Sequence, residues 1–129
     1  MKGESLNFTV TVDVYNYDLM VSFGETDKEL VNRFIKNGYL KETIGDISYA
    51  SDNSFGCFIT THTGAGCIRL RKIPKNPFEY GCLAHEIFHS VEYLMCAVGV
   101  IHNKEYSGES YAYAIQYITE QIYKKTQKC

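Results

Sequence analysis

The sequence predicts a single α+β domain in which a small antiparallel sheet packs against helices. Three features support this prediction: a strictly alternating apolar run near the start, two β-rich runs in the middle joined by a glycine-containing turn, and two long helical segments at the end. Strands and helices that are separated along a chain are typical of α+β architecture. A length of 129 residues fits one domain, residues 1–129, with one hydrophobic core.

The first third of the chain predicts two strands and a helix. Apolar and polar residues alternate from Leu6 to Val14, which indicates a strand with one buried face. After a turn, Leu19 to Phe23 is expected to return as a second strand. Thr26 to Glu29 has the pattern of a capping box, so a helix is expected from about Asp27 to Asn37.

The remainder predicts a hairpin followed by two helices. Phe55 to Thr61 and Cys67 to Ile73 are β-rich, and the glycines between them favour a tight turn. Asn76 precedes a proline and, three positions later, a glutamate, which predicts a capped helix that ends near Val98. Ser107 is the expected N-cap of the last helix, which runs to about Thr126.

Composition narrows the class of protein and its partners. With 13 Lys and Arg, 15 Asp and Glu and a net charge of −2, the chain offers no basic surface for nucleic acid. It has no run close to the roughly 18 consecutive apolar residues of a membrane span, and its first apolar run alternates with polar residues, unlike a secretory signal. Five cysteines without a CxxC pair favour reduced thiols. We therefore expect a cytoplasmic protein that binds neither nucleic acid nor membrane, with its oligomeric state left open.

The residues that carry chemistry lie in the helix expected after Asn76. Residues 85–89 read His-Glu-Ile-Phe-His, which is an HExxH motif. Residues four positions apart lie one helical turn from each other, about 6 Å along the axis, so His85 and His89 can bind one metal ion together. Glu86 is then placed to act as general base on a metal-bound water. The motif predicts a Zn²⁺ site in a hydrolase.

A catalytic zinc site takes three protein ligands, so the two histidines need a further partner. The candidates that follow the motif are Glu92, His102, Glu105, Glu109 and Glu120. Glu109 is preferred, because it lies 20 positions after His89 in the first turn of the next helix, where a negative charge is favourable. His102 is the alternative, although it falls in the connecting loop. Glu92, only three residues after His89, is expected beside the ligands rather than among them.

The motif and its downstream segment resemble a known family. Residues 83–89 (LAHEIFH) and 108–113 (GESYAY) are similar to the HExxH and E-x-x-A-Y patterns of gluzincin metallopeptidases, most closely to small zinc peptidases of phages and prophages. The metzincin pattern is excluded, because it requires Gly and His where this chain has Glu92 and Met95. The resemblance covers about residues 78–125, and the first 70 residues resemble no family.

The resemblance implies zinc-dependent peptide-bond hydrolysis. His85, His89 and Glu109 would bind zinc, and Glu86 would be the general base. The family also uses an exposed sheet edge above the metal to pair with an extended peptide, and Phe55 to Thr61 is the candidate for that edge. A Tyr or His would stabilise the oxyanion. The candidates near the third ligand are Tyr106, Tyr111 and Tyr113.

The predicted function is therefore a zinc metallopeptidase that acts on a peptide or protein substrate. The alternative is a zinc-stabilised, non-catalytic module for protein interaction, or a phage-associated structural module. This alternative stands because 129 residues leave no room for the second lobe that walls the cleft in larger gluzincins. Glu86 separates the two functions, since only a peptidase requires its carboxylate.

Overall fold

The computed structural model describes residues 3–39, 46–61, 64–101, 103, 105 and 107–128, and shows four strands and three α-helices among them. A 3₁₀ turn, Asp13–Tyr15, separates the first two strands. The α+β class and the predicted order of elements are confirmed. The elements, in chain order, are β1 (Leu6–Val12), β2 (Tyr17–Phe23), α1 (Asp27–Lys36), β3 (Gly56–Thr60), β4 (Gly66–Leu70), α2 (Pro77–Ala97) and α3 (Gly108–Thr126).

The strands form one sheet in the order β1-β2-β4-β3. β1 pairs with β2, and β3 with β4, in antiparallel fashion, but β2 and β4 are parallel. The expectation of a purely antiparallel sheet is therefore wrong, and the sheet is mixed. The physical reason lies in burial: all five residues of β4 are buried, so β4 takes a central place beside β2, and the less buried β3 takes the edge.

β1 ends two residues earlier than the alternating pattern predicts. The chain turns into the 3₁₀ segment at Asp13, and Asn16 closes this turn in the left-handed region with φ of 50°. Val14, which was expected on the buried face, is 82% exposed as a result. A two-residue period shows which residues share a face of a strand, but it does not show where the strand stops.

The sheet separates two apolar layers. Helices α2 and α3 cover one face, and α1 covers the other. The α1 layer contains Met20, Leu30, Phe34, Ile59 and Cys67. The layer below α2 and α3 is larger and contains Val10, Val12, Tyr17, Leu19, Val21, Phe23, Ile68, Leu70, Ile73, Leu83, Ile87, Val91, Leu94, Met95, Ala114, Ile118 and Ile122. The helix that carries the HExxH motif is thus held by the main core.

The caps of α1 match the sequence prediction. Thr26 Oγ1 accepts a hydrogen bond from the Glu29 N–H at 3.2 Å, and Glu29 Oε1 accepts one from the Thr26 N–H at 3.1 Å. The helix ends at Lys36, and Gly38 follows with φ of 94°, a conformation that glycine adopts without steric cost.

The start of α2 has the predicted N-cap, but Glu79 does not complete the capping box that its spacing from Asn76 predicts. Asn76 Oδ1 accepts from the Glu79 N–H at 2.9 Å, as an N-cap does. The Glu79 side chain, however, accepts from the Lys75 N–H at 2.9 Å and pairs with Lys72 Nζ at 2.9 Å. The hydrogen bond from Lys72 lowers the pKa of Glu79 below its usual value. Glu79 therefore joins the end of the sheet to the start of α2.

The described cysteines are all free thiols. Burial raises the pKa of the Cys57 thiol to about 11 and that of the Cys67 thiol to about 12. Both are protonated at neutral pH, because the thiolate is disfavoured in an apolar site.

None of the helices in the described part of the chain has the length and apolar character needed to cross a membrane.

The α1 layer should contribute strongly to stability. Phe34 is 1% exposed whereas its neighbour Ile35 is 48% exposed, so the two residues form a matched pair on one helix. We expect Phe34→Ala to lower the free energy of unfolding by about 3–5 kcal/mol, because it leaves a cavity. Ile35→Ala should cost less than about 1 kcal/mol. Urea denaturation of both variants checks this, and equal losses would contradict the two-layer core.

Candidate metal centre

The rotation of α2 about its own axis decides which motif residues reach solvent. Leu83, Ile87 and Val91 recur at helical spacing and are buried against the sheet. His85 and His89 lie on the opposite side of the helix and are exposed, while Glu86 falls at the boundary and is only 7% exposed. The HExxH motif thus lies across the border between core and surface, with its two imidazoles facing outward.

The imidazoles converge on one point. His85 Nε2 and His89 Nε2 lie 3.0 Å apart, and the ring centroids are 4.7 Å apart. One ligand atom from each of His85, Glu86 and His89 lies within 4.8 Å of the others. Within the described residues, this is the group of three metal-ligating side chains that the fold brings together.

The spacing fits a metal ion. A tetrahedral zinc ion with Zn–N bonds of about 2.0–2.1 Å holds two ligand nitrogens about 3.3 Å apart, close to the observed separation of 3.0 Å. Imidazole nitrogens and carboxylate oxygens suit zinc and several other first-row divalent metals. The residues can therefore hold a metal ion, and the donor set does not by itself select one metal.

Glu86 lies close against β3. A Cβ placed on Gly56 would be 3.2 Å from Glu86 Cγ, which shows how near the side chain comes to the strand. Burial raises the pKa of the Glu86 carboxyl above its ordinary value, and His85 and His89 act in the opposite direction. The carboxylate is thus withdrawn from bulk water but stays beside both imidazoles.

The centre lies in a cleft of about 660 Å³ between α2 and β3. β3 is an edge strand of the sheet, and its Gly56, Cys57, Phe58 and Thr60 line the cleft. The segment Phe55 to Thr61 therefore lies next to the motif at a sheet edge, as the sequence predicts. Pairing of this edge with a peptide stays a prediction.

The rim of the cleft is held by arginine contacts that the sequence does not reveal. Ala50 and Ser54 line the cleft in front of β3. Arg71 donates hydrogen bonds to the carbonyl oxygens of Ser51, at 3.1 Å, and of Ser54. Its guanidinium also lies 4.0 Å from the centre of the Tyr49 ring. These contacts fix the segment before β3, although it has no regular structure.

Glu109 lies in the first turn of α3, as predicted, and its side chain is exposed. It is not part of the group formed by His85, Glu86 and His89. Its role as third ligand therefore stays a prediction. The alternative ligand, His102, lies outside the described residues.

The tyrosines considered as oxyanion donors are placed elsewhere or not described. Tyr111 donates its hydroxyl proton to the Val100 carbonyl at 3.1 Å, and Tyr113 lines a separate groove beside Val14. Tyr106 lies outside the described residues. Neither described tyrosine lines the cleft that contains the motif.

Two other side chains lie beside the motif. Tyr93, one turn after His89, lines the cleft and donates to the Thr61 carbonyl at 3.1 Å. The sequence reasoning missed it, although its i+4 spacing from His89 was a usable signal. Glu92 places Oε1 3.2 Å from His89 Nδ1, in agreement with the expectation that it lies beside the ligands.

Comparison with known proteins gives no relative. No protein-family model matches the chain, and no curated protein or solved structure matches it either. The resemblance to gluzincins therefore rests on residues 83–89 and 108–113 alone.

Gly56 should be required for the close approach of β3 to Glu86. A Cβ at this position would lie 2.6 Å from Leu70 Cδ2 and 3.1 Å from the Arg69 carbonyl oxygen. We expect Gly56→Ala to lower the free energy of unfolding by about 1–3 kcal/mol through overpacking. Urea denaturation measures the loss.

The matched control is Gly81→Ala. Gly81 is inside α2, and a Cβ there meets nothing within 4 Å. Because alanine favours the helix, this variant should gain about 0.5–1 kcal/mol. Wild-type stability in Gly56→Ala would contradict the crowding of Gly56 against β4 and Glu86.

Proposed function

We propose that the protein is a zinc-dependent peptidase that hydrolyses peptide bonds of an extended polypeptide lying along β3. The observation that supports this most directly is the 3.0 Å approach of His85 Nε2 to His89 Nε2, with the Glu86 carboxylate beside them. The cleft around this group is bordered by an edge strand. A pair of imidazoles, a carboxylate and a strand edge are parts that metal-assisted peptide hydrolysis uses, and a third protein ligand would complete the metal site.

His85, Glu86, His89 and Glu109 have distinct parts in the proposed reaction. His85 and His89 would hold the ion through their Nε2 atoms, and Glu109 would be the third ligand. When bound, the ion supplies a Lewis acid that polarises the substrate carbonyl and makes water more acidic. The remaining chemistry falls to side chains of the chain itself.

Glu86 moves the proton. As the oxygen of water forms a bond to the carbonyl carbon, the Glu86 carboxylate accepts the proton that water loses. It then delivers this proton to the amide nitrogen while the C–N bond breaks, which leaves a free carboxyl group and a free amine. Its position between the two histidines allows one carboxylate to serve both transfers.

The substrate is positioned by the edge of the sheet. An edge strand offers unpaired N–H and C=O groups, to which an extended peptide adds as a further strand. Phe55 and Phe78 stand beside the cleft with ring centroids 6.4 Å apart, and Phe78 is 70% exposed. These rings favour a substrate with an apolar side chain next to the cleaved bond.

A non-catalytic, zinc-stabilised interaction module is the second candidate function. The openness of the cleft favours it, because the His89 side chain is 45% exposed and the cleft therefore does not shield both imidazoles from solvent. In such a module Glu86 would have no part beyond packing, so the two functions differ in one measurable property.

Glu86→Gln tests the peptidase. The variant should retain about one zinc per chain by elemental mass spectrometry, since the imidazoles are unchanged. Its hydrolysis of fluorescein-labelled casein should fall by about 10²–10⁴-fold, because the side-chain amide of glutamine cannot accept the proton that water loses. Glu120 lines the separate groove beside Val14 and not the cleft of the motif, so Glu120→Gln is the matched control and should keep full activity.

His85→Ala completes this experiment, because it should lose the zinc. Full hydrolysis by Glu86→Gln would remove Glu86 from the mechanism. A wild-type protein that binds zinc but cleaves no casein would instead support the interaction module.

Glu109→Ala tests the third ligand. Removal of a coordinating carboxylate should weaken zinc binding at least about 10-fold in competition with a chromogenic chelator. Glu120→Ala, on the same helix, should leave zinc affinity unchanged. If Glu109→Ala binds zinc like the wild type and His102→Ala does not, the third ligand is His102.

A further inference from the structure

We infer that Glu92 is a positioning residue that holds the proton of His89 on Nδ1 and so leaves His89 Nε2 free to bind a metal ion. The inference rests on the proposed function in that His85 and His89 are taken as the metal ligands. Two distances carry it: Glu92 Oε1 lies 3.2 Å from His89 Nδ1, and His89 Nε2 lies 3.0 Å from His85 Nε2. The three side chains thus form a continuous chain of contacts on the exposed side of α2.

The chemistry of this contact fixes the position of one proton. A carboxylate only accepts hydrogen bonds, so His89 must carry a proton on Nδ1 and donate it to Glu92. A neutral imidazole has a single N–H, so a neutral His89 then has its free lone pair on Nε2. Glu92 therefore selects the Nδ1–H form of His89.

This arrangement prepares one ligand in advance. With its proton on Nδ1, a neutral His89 presents the Nε2 lone pair that a metal ion needs. Without Glu92, the proton of His89 can occupy Nε2 and block the ligating position. Carboxylates that orient a metal-binding histidine in this way are general in metal sites, and their loss weakens metal binding by about 10–100-fold.

The position of Glu92 suits this part better than that of a ligand. Its carboxylate contacts Nδ1, whereas the two Nε2 atoms face each other on the far edge of the rings. Because Glu92 lies on the same helix three residues after His89, the contact requires no movement of another element.

The test reads the tautomers directly. Long-range ¹H–¹⁵N correlation spectra of the metal-free protein, recorded with neutral imidazoles, report which nitrogen of each histidine is protonated. We expect the Nδ1–H form at His89 in the wild type and in Glu92→Gln, whose amide oxygen still accepts a hydrogen bond. In Glu92→Leu the Nε2–H form of His89 should appear. Glu120→Leu, on α3, is the control for loss of a surface charge.

A zinc titration against a chromogenic chelator completes the test. Glu92→Leu should bind zinc about 10–100-fold more weakly than the wild type, and Glu92→Gln should keep most of the affinity. Unchanged His89 tautomers in Glu92→Leu, or unchanged zinc affinity, would overturn the inference. Loss of zinc binding as complete as in His89→Ala would also overturn it, because Glu92 would then be a ligand.

Failure of the proposed function gives a different result. If the wild type takes up no zinc, the peptidase proposal falls, while the tautomers of the metal-free protein still decide whether Glu92 orients His89. If zinc binds and the tautomers ignore Glu92, only the inference falls.

Discussion

The packing of α2 against the sheet is the constraint on which the rest of the centre depends. Leu83, Ile87, Val91 and Leu94 form a buried stripe, and each residue step on a helix turns by about 100°. Burial of Ile87 therefore forces His85 and His89 to the opposite side and leaves Glu86 at the border. The main core, rather than any contact among the three motif residues, sets the direction in which the imidazoles point.

Strand order then supplies the second wall. Because β4 is buried along its whole length, it lies inside the sheet and β3 is left at the edge beside α2. The same order makes the sheet mixed and brings Gly56 next to Glu86. The cleft is therefore a consequence of where β3 is placed in the sheet. A sheet with β3 in a central position would put the same motif against a closed surface.

Local patterns predicted what local interactions determine. The capping box at Thr26, the N-cap at Asn76 and the approach of His85 to His89 depend on spacings of three or four residues, and the structure has all of them. The parallel pairing of β2 with β4 and the contact of Arg71 with the segment before β3 depend on residues far apart in the chain. Periodicity contains no information about such contacts, which is why the prediction of an antiparallel sheet was wrong.

The distribution of the core bears on the choice between the two functions. A structural zinc site stabilises a fold that lacks enough apolar core to form without metal. Here, apolar layers on both faces of the sheet hold the three described helices, and the two histidines of the motif lie on the outer side of α2, away from these layers. The two imidazoles also contact each other through their Nε2 atoms. A metal ion at this centre would add little to the fold, which favours a chemical role for it over a stabilising one.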